Sequence, residues 1–544
     1  MVRAMQRFLR TLLWTLVVLL VLPVATLLAS WLQGNAQAWE ILAQMGATVL
    51  PDYAWTSLLL CGMVSLGVIS MGTVSAAAVT LFDFPFRKTL EWALLLPLAM
   101  PAYVVAYAYT DFLQYSGTLQ TWLRSTWGLQ GALLPEVRSV WGAAAVLALS
   151  LYPYVYLLTR TALSDRANHL MEAARLLGAS LRRRIWQVAL PLARPAIAAG
   201  TALALMETLA DFGVSSYFGI QTFTAGIYKA WIVMDDHVAA AQLSTALLLL
   251  VACVLGIELH AQSKMRFSSG RADRQSAESN PIAVRGVRAF ALLTLCALPV
   301  VFGFVLPLGI LAIEFGSTRS VAVPWDRFFQ WGGTSLALGL ITAVLAVGVA
   351  VFVAVFARVR PAWDTQLAQR AVGLGYSVPG VVVVIGLLLP VGWLQSRFPD
   401  LGLGYWLTAT SLGMLWAYLV RFVAVAMQSV QSGFTRIAPA LDESSRMLGV
   451  TAWTLLIKVH APLLRKPLFA ASLLVLVDVM KELPVTLVLR PFDTDTLAVM
   501  AYQLARDERL GEAALPSLAL VVVGLVPVFF LSRTLRRGEI SRPC

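Results

Sequence analysis

The sequence predicts an all-α, polytopic membrane protein, and its composition and its distribution of charge both indicate this class. Of the 544 residues, 59% are apolar and 13% are charged, whereas soluble globular chains are about half apolar and a quarter charged. The charged residues stand in short clusters between apolar runs of roughly 20 residues, the length that crosses about 30 Å of hydrocarbon. The lipid bilayer is therefore the first partner that the sequence predicts, and a disordered chain, a coiled coil and an ordinary soluble enzyme are excluded.

Twelve apolar runs are predicted to span the membrane. They cover residues 11–32, 53–81, 91–113, 139–159, 196–218, 241–260, 289–314, 333–356, 371–395, 405–425, 467–488 and 514–532. If the N-terminus is cytoplasmic, the inner connecting segments hold about three times as many Lys and Arg residues as the outer ones, as the positive-inside rule requires. Both termini are therefore predicted to be cytoplasmic, and the first apolar run is predicted to be a retained span because it is too long for a signal peptide.

The polar segment 261–288 divides the chain into two halves of six predicted spans. It contains Ser, Gly, Asp, Asn and Pro without apolar periodicity, which indicates a linker. The sequence therefore predicts a first transmembrane unit over 1–260, a cytoplasmic linker over 261–288 and a second transmembrane unit over 289–544.

The two halves share residue types at nearly constant spacing, which indicates an internal duplication. The matched sets are Thr56, Ser57 and Leu58 with Thr334, Ser335 and Leu336, Pro101 with Pro379, Glu172, Gly178 and Pro191 with Glu443, Gly449 and Pro462, and Thr222 and Thr224 with Thr494 and Thr496. Because each half has an even number of spans, the repeats enter the membrane in the same direction. A substrate path is expected between such parallel repeats.

Two predicted cytoplasmic loops, which include residues 172–191 and 443–462, are long and carry the same pattern. Each has a short helix-forming stretch that ends at a glycine, suited to a helix C-cap, and a second amphipathic stretch predicted to stop at a proline. A small-residue helix face bearing one acid can lie in a groove on a partner protein. The alternative is an amphipathic helix on the lipid surface, but two copies with identical internal spacing favour docking on a partner.

The spacing EAA-x3-G-x9-I-x-LP resembles the signature of ABC importer permeases, in which this loop docks on the ATPase subunit. The first loop matches the signature at Glu172, Ala173, Ala174, Gly178, Leu190 and Pro191, with Val188 in place of Ile. The second loop keeps Glu443, Gly449 and Pro462, with Ser444 and Ser445 in place of the two alanines and Ala461 in place of Leu. The resemblance implies the family's transmembrane-domain fold and two ATPase subunits as partners.

Four longer segments are similar to the fused, two-unit permeases of ferric iron importers. They are MEAARLLGAS, ALMETLADFG, DESSRMLG and DVMKELPVTLVLRPFDTDTLA, and the likeness covers most of both halves. The resemblance implies ferric iron as the substrate, a separate periplasmic substrate-binding protein and a bacterial inner membrane location. Similar fused permeases import thiamine, and related ones import sulfate or polyamines, so these substrates stay open.

Charged residues recur inside the fifth and eleventh predicted spans, which are equivalent in the two halves. They are Glu207, Asp211, Asp478, Lys481 and Glu482. A charge at the centre of a membrane helix costs about 2.5–3.5 kcal/mol on insertion scales, so these groups are expected to face the protein interior or water. Lys481 is expected to neutralise Asp478 or Glu482 as a buried ion pair. The alternative is that some of these residues line the path of a cationic substrate, since carboxylate oxygens suit a hard cation.

Several chemistries have no counterpart in the sequence. The dipeptide Gly-Lys does not occur, so there is no P-loop, and ATP is expected on partner subunits while this chain binds no cofactor and has no catalytic residues. The four cysteines and four histidines are scattered, without the spacing of a zinc site. The net charge of +12 is explained by the positive-inside rule, and nucleic acid is not a predicted partner.

A gradient-driven secondary transporter is the second candidate function, but such a carrier needs no matched docking loops. A membrane-embedded scaffold is a third, but it would not need charges inside its spans.

Overall fold

The computed structural model confirms the all-α class. It describes residues 2–31, 36–164, 168–267, 281–317, 325–435 and 437–540. The helices of these residues are α1 Val2–Ser30, α2 Ala36–Ala47, α3 Leu50–Leu81, α4 Arg87–Ala93, α5 Ala102–Leu113, α6 Thr118–Trp127, α7 Val140–Ala162, α8 Asn168–Leu176, α9 Leu181–Arg184, α10 Leu190–Ala210, α11 Gly213–Phe218, α12 Phe223–Tyr228, α13 His237–Phe267, α14 Val287–Val300, α15 Leu306–Ser317, α16 Trp325–Val359, α17 Trp363–Gly373, α18 Gly380–Arg397, α19 Leu403–Thr408, α20 Leu412–Thr435, α21 Pro439–Met447, α22 Ala452–Leu455, α23 Ala461–Lys481, α24 Pro484–Leu489, α25 Leu497–Arg506 and α26 Leu510–Ile540.

The strands among the described residues are two short segments. Strand β1 (Phe82–Asp83) pairs in parallel with β2 (Ile282–Ala283). Of the predicted linker, residues 261–267 continue helix α13 and residues 268–280 lie outside the described residues. The boundaries of the linker and of the two sequence halves therefore stay a prediction.

Ten helices of the described residues are long and apolar enough to cross a membrane. An eleventh span results if the segments Arg87–Ala99 and Ala102–Trp127, which meet at 90°, are counted together. The prediction of twelve is one higher because the segment 467–488 corresponds mainly to α23, a helix of 21 residues that carries both basic and acidic side chains and is therefore less apolar than a typical span.

Pro101 and Pro379 perform the same local role in the two halves, as their common spacing predicts. Each precedes the first residue of a helix, α5 and α18 respectively, with nearly identical backbone angles (φ −59°, ψ 139° and φ −56°, ψ 142°). A 3₁₀ turn stands just before each proline, at Leu96–Ala99 and Gly375–Ser377. Proline interrupts a helix because it lacks the N–H donor, so both predicted spans contain a break.

The described helices form two compact units, and each unit combines segments from both sequence halves. Unit 1 comprises Met1–Ala47, Gly226–Leu248 and Pro324–Met500. Within it α16, α20 and α23 pack together, and α1 packs on α18. The Thr26 hydroxyl of α1 donates to the carbonyl of Gly386 at 2.6 Å, and Arg10 forms a 2.8 Å ion pair with Asp364. The first helix of the chain is therefore fastened to helices of the second half.

Unit 2 comprises Thr48–Ala225, Leu249–Val323 and Ala501–Cys544. Helices α3, α7 and α10 pack together, and α15 packs on α26. A methyl group built on Gly72 of α3 would lie 2.7 Å from the Cβ of Val155 and 2.9 Å from the backbone nitrogen of Tyr156, both on α7. Glycine is required there because small residues allow membrane helices to approach closely.

Candidate functional site

The first matched loop begins with α8, which ends in a tight glycine-dependent turn. Gly178 has φ of +80°, the left-handed conformation that glycine adopts without steric cost. The backbone N–H of Ala179 donates to the carbonyl of Ala174, and that of Gly178 donates to Arg175, both at 3.0 Å. This pair of bonds is the Schellman motif, so the glycine that the sequence singles out forms the C-cap of α8.

The second matched loop repeats the same turn 271 positions later. Gly449 follows α21 with φ of +72°, and the N–H of Val450 donates to the carbonyl of Ser445 at 3.1 Å. The hydroxyls of Ser444 and Ser445 donate to backbone carbonyls four residues earlier, each at 2.8 Å. The two serines therefore satisfy their polar groups within the helix and preserve its shape.

The residues just before each glycine are the most exposed apolar side chains of the loops. Leu176 and Leu177 are 85% and 87% exposed, and Met447 and Leu448 are 88% and 82% exposed. Large apolar side chains exposed together mark surfaces that contact another protein or a membrane. Both loops therefore present the same two-residue apolar tip.

The residues of the signature differ in how far they are exposed to solvent. Exposed positions are Glu172, Ala173, Gly178, Glu443, Ser444, Gly449 and Pro462, and partly buried ones are Ala174, Leu190, Pro191 and Ser445. The acid of each signature thus faces away from the chain's own core. This placement leaves both carboxylates accessible to a binding partner.

The second stretch of each loop does not stop at its proline, which corrects the prediction. Ser180 accepts a hydrogen bond from the N–H of Arg183 at 3.4 Å, and Thr451 accepts from Thr454 at 3.3 Å, so each caps the helix that follows. A π-helical turn then leads directly into α10 or α23. Pro191 is the second residue of α10 and directly follows this turn, so the helix continues through the proline.

An apolar cluster anchors the first loop to the rest of unit 2. Met171 of α8 is buried against other apolar side chains from α3, from the end of α7 and from the start of α10. The buried members of the cluster are Leu81, Leu163, Met171, Ala189 and Ala193. Apolar packing therefore holds the first loop at this point.

A charged cluster anchors the second loop at the equivalent positions. Asp442 and His460 stand 271 positions after Met171 and Ala189. The Nε2 atom of His460 lies 2.8 Å from one oxygen of the Asp442 carboxylate, and the Nε atom of Arg358 donates to the other at 2.5 Å. We call these three residues, Arg358, Asp442 and His460, the Asp442 clamp.

The Asp442 clamp is also tied to the backbone. Arg358 donates from its two terminal nitrogens to the carbonyls of Phe434 and Ile437 at 2.9 and 2.8 Å. Burial by itself would raise the pKa of Asp442, but hydrogen bonds and positive charge from His460 and Arg358 outweigh it and hold that pKa below its ordinary value of 3.8. The carboxylate is therefore ionised at neutral pH and links α21 to the end of α16 and to the start of α23.

Asp211 ends α10 and does not lie within the helix, which corrects the prediction of a continuous span over 196–218. Its backbone is extended (φ −66°, ψ 126°). Its carboxylate accepts from the N–H of Ser215 at 3.0 Å, from that of Val214 at 3.4 Å, and from the Ser215 hydroxyl at 3.1 Å. The acid breaks the span because it caps the short helix α11.

Glu482 has the equivalent position in the second half, as the spacing of 271 predicts. Its backbone is extended at the end of α23 (φ −69°, ψ 121°), and its carboxylate accepts from the N–H groups of Val485 and Thr486 at 2.9 and 3.4 Å. The other carboxylate oxygen accepts from Arg421 of α20 at 2.6 Å. Arg421 thus neutralises Glu482, and Lys481 does not.

The other three charged residues of the fifth and eleventh predicted spans lie on the long helices that lead to these breaks. Glu207 lies on α10 and is half-buried; Asp478 and Lys481 lie on α23 and are also half-buried. Lys481 is close enough to Asp478 for their charges to interact. The structure therefore brings Lys481 to Asp478, one of the two partners that the sequence allowed.

A serine in each half binds the backbone near these breaks. The Ser57 hydroxyl accepts from the N–H of Phe223 at 3.3 Å in unit 2, and the Ser335 hydroxyl accepts from the N–H of Leu497 at 2.9 Å in unit 1. The two serines were matched by sequence spacing alone. Their equivalent hydrogen bonds support the duplication.

The threonines correspond at a spacing that differs from the predicted one. Thr222 and Thr496 each accept a hydrogen bond from the N–H three residues further on, at 3.5 and 3.4 Å. Each also comes directly before the residue that is bound to the matched serine. Thr222 is therefore equivalent to Thr496, which replaces the pairing of Thr222 with Thr494 and of Thr224 with Thr496.

Comparison with known families agrees with this duplicated geometry. A family profile described as "Binding-protein-dependent transport system inner membrane component" matches the chain twice, over residues 69–267 and 346–538. The two matches cover most of the chain and contain both matched loops and both breaks.

Three curated relatives illustrate the similarity. The Fe(3+)-transport system permease protein FbpB 2 of Haemophilus influenzae is 24% identical over 491 residues, 88% of each chain. The probable ABC transporter permease protein y4fN of Sinorhizobium fredii is 23% identical over 514 residues, 90% of this chain and 87% of that one. The sulfate transport system permease protein CysT of Escherichia coli is 28% identical over 197 residues, 36% of this chain and 68% of that one.

Proposed function

Because this chain belongs to the family of binding-protein-dependent transport system inner membrane components, we propose that it is the permease subunit of an ATP-driven importer. Its two matched loops dock on two ATPase subunits. ATP binding and hydrolysis on those subunits move the loops, and the movement alternates access to a path through this chain. The ATPase can shift that equilibrium only as far as it contacts the loops differently in the two states.

The single observation that carries the docking proposal is the matching exposed apolar tip of the two loops. Leu176 and Leu177 in one loop, and Met447 and Leu448 in the other, are more than four-fifths exposed and precede a left-handed glycine. Apolar helix positions that fit a groove on a partner give such an interface its affinity. Matching apolar tips on the two loops suit two similar partner subunits.

We propose ferric iron as the substrate. The relative that matches 88% of both chains is named as an Fe(3+) permease, whereas the sulfate permease matches 36% of this chain. Sulfate, polyamines and thiamine are the alternative substrates. A separate periplasmic binding protein delivers the substrate, and the chain lies in a bacterial inner membrane with both termini in the cytoplasm.

We expect serine in place of Leu176 and Leu177 to weaken the association with the ATPase. Removing two exposed leucines from an interface costs about 1.5–3 kcal/mol each when they are fully buried by the partner, so the affinity falls by roughly a hundredfold or more. The measurement is co-purification of the ATPase with the full chain from host membranes. ATPase activity stimulated by the ferric-loaded binding protein is the second measurement.

The matched control is Leu176→Met, which places in the first loop the residue that the second loop has at this position. We expect this variant to retain the ATPase, because methionine preserves the apolar contact. If the double serine variant binds the ATPase as tightly as the natural chain, the docking proposal is wrong. If no ATPase co-purifies with the natural chain, the importer proposal itself is wrong.

We also propose that Asp211 lines the path of the cation, and Asp211→Asn tests this role. Asparagine still accepts backbone hydrogen bonds, so we expect a loss of about 1 kcal/mol in the free energy of unfolding. Uptake of radioactive ferric iron should fall by roughly tenfold because the negative charge is lost. Ser215→Ala is the control, since it removes a hydrogen bond to the same carboxylate and keeps its charge. Unchanged uptake by Asp211→Asn at a normal protein level would refute this role.

A further inference from the structure

The two helix breaks have the same backbone geometry, but different charges surround them. In unit 1 the Glu482 carboxylate accepts a hydrogen bond from Arg421 at 2.6 Å, and the two residues are 6% and 8% exposed. A buried acid in a membrane protein requires such a counter-ion. On the same helix α23, Lys481 is close enough to Asp478 for their charges to interact. The second half therefore has a base for each of the two acids near its break.

The first half has the equivalent acids but lacks the equivalent bases. Glu207 and Asp211 are the acids that the spacing of 271 relates to those of the second half. At the same spacing, the residue equivalent to Arg421 is Ser150. The residue equivalent to Lys481 is an alanine. Neither of these side chains can carry a positive charge.

A glycine near the start of each corresponding helix supports this alignment of the two halves. Gly142 of α7 and Gly413 of α20 are also 271 positions apart. A Cβ atom built on either one would lie 2.0 or 2.2 Å, respectively, from the backbone carbonyl oxygen of an earlier residue. Helix α7 packs on α10 as α20 packs on α23. Ser150 therefore has in unit 2 the place that Arg421 has in unit 1.

The space around the ion pair differs between the halves in the same sense. A Cβ atom built on Gly380, the first residue of α18, would lie 2.7 Å from Oε1 of Glu482 and 3.1 Å from Nη1 of Arg421. The equivalent residue of the first half, directly after the matched proline, is Ala102. The first half thus has a methyl group where the second half needs space for the ion pair.

Asp211 has hydrogen-bond donors but no counter-ion among the described residues. Its donors are the neutral residues Val214 and Ser215, and none of the ion pairs found in the described part of the chain includes it. Ser150 is 4% exposed, and its hydroxyl has no hydrogen-bond partner within the described ranges. The position that supplies a counter-ion in one half therefore supplies a small neutral side chain in the other.

We propose that Ser150 is a specificity-determining residue: because it supplies no positive charge, the substrate cation serves as the counter-ion of Asp211. In the second half Arg421 neutralises Glu482 permanently, since a guanidinium stays protonated in proteins, and this break is a structural joint that does not bind the cation. The inference rests on the proposed role of Asp211 in the cation path. It favours a cationic substrate over sulfate, because an acid without a counter-ion repels an anion.

Transfer of the second-half arrangement to the first half tests the role of Ser150. Ala102→Gly with Ser150→Arg supplies both the guanidinium and the space that it has in unit 1. Ala102→Gly with Ser150→Met is the matched control, because methionine is long and uncharged. In proteoliposomes that contain the complete complex, the arginine variant should take up radioactive ferric iron more slowly than the methionine variant by about tenfold or more. ATP hydrolysis stimulated by the ferric-loaded binding protein should be equal in the two variants, because neither changes the matched loops.

The converse change in the second half does not require an added charge. Arg421→Met with Glu482→Gln removes the ion pair, and neutral replacements of a whole buried pair are often tolerated. We expect this variant to take up ferric iron within about twofold of the natural chain, in contrast to Asp211→Asn. Because its side chains are no larger than the natural ones, it also decides the question if the arginine variant is not recovered as a folded protein by size-exclusion chromatography.

Equal uptake by the arginine and methionine variants overturns the proposal. A loss in Arg421→Met with Glu482→Gln as large as that in Asp211→Asn, at a normal protein level, also overturns it, because the second break would then belong to the cation path. If Asp211→Asn itself takes up ferric iron normally, the proposed role of Asp211 is wrong and this inference is wrong with it. The last result differs from the first two, because it does not depend on any change at Ser150 or Arg421.

Discussion

Valine at position 178 is expected to reduce substrate uptake by about tenfold, whereas asparagine at the same position should largely preserve it. A Cβ atom built on Gly178 meets no atom within 4 Å, and the residue has φ of +80°. A substitution therefore acts through the backbone and not through a clash. A residue with a Cβ atom in the left-handed region costs about 1–2 kcal/mol, while asparagine adopts this region more readily.

The conformational free energy that valine costs at position 178 affects transport, because it lowers the fraction of molecules in which the loop has the conformation that docks on the ATPase. If the required turn is populated tenfold less, the apparent affinity for the partner falls by the same factor. ATP turnover should then no longer be matched by uptake. Uptake of the substrate and ATP hydrolysis, measured together in proteoliposomes that contain the complete complex, give the ratio directly.

Two further variants define the effect of the glycine. Gly256 of α13 also has open space around its Cβ position but no left-handed backbone, so Gly256→Val should leave uptake nearly unchanged. Gly449 has φ of +72°, and Gly178→Val combined with Gly449→Val should reduce uptake by roughly a hundredfold if the loops act independently. Normal uptake by Gly178→Val would show that the left-handed turn is not needed for coupling.

The features that the sequence predicted are those that depend on local chemistry repeated at fixed spacing. Gly178 and Gly449 form left-handed caps, and Pro101 and Pro379 begin helices with nearly identical backbone angles. Glycine and proline restrict the backbone wherever they occur. The local backbone conformation at these four positions could therefore be predicted from the sequence, without knowledge of the tertiary contacts.

The helix breaks at Asp211 and Glu482 could not be predicted in the same way. The apolar pattern continues through both positions, and the breaks depend on carboxylates that cap the next helix. Arg421, the partner of Glu482, was overlooked because it is 61 positions away in sequence and no local pattern connects them. A lone basic residue inside the predicted span 405–425 was the available signal, since such a charge requires a partner.

The Asp442 clamp was also missed, although a comparison of the repeats could have found it. Where the first loop has Met171 and Ala189, the second has Asp442 and His460. A polar pair at two positions that are apolar in the matched copy indicates a direct contact between them. Apolar periodicity alone cannot show this contact, because it does not distinguish a buried polar pair from an exposed one.

Removal of the Asp442 carboxylate is expected to be the most destabilising single change in the second loop. In Asp442→Ala, His460 remains 1% exposed and Arg358 loses its counter-ion. Loss of one partner from a buried pair costs about 3–5 kcal/mol, and we expect the lower end because Arg358 keeps two backbone carbonyls. Thermal unfolding of the purified chain and protease sensitivity of α21 measure the effect.

The same clamp predicts a dependence of stability on pH. The pKa of Asp442 is lower in the folded chain than its ordinary value of 3.8. Its contribution to stability is therefore complete above 3.8 and is lost progressively as the pH falls through the lowered folded value, since the unfolded chain takes up the proton first. Asp442→Asn should lack this part of the acid sensitivity, which a comparison of unfolding temperatures across acidic pH would show.

Replacing all three residues of the Asp442 clamp with apolar residues tests whether the second loop needs their charges or only a buried contact. The triple variant Arg358→Met, Asp442→Met and His460→Ala reproduces the apolar type of contact that the first loop has at the equivalent positions. Apolar residues of similar volume often replace a buried charged cluster without loss of stability, so we expect the triple variant to unfold within about 1 kcal/mol of the natural chain and to transport substrate. If it is as unstable as Asp442→Ala, the charges themselves are needed. An apolar contact of the kind found in the first loop then cannot replace the charged contact in the second.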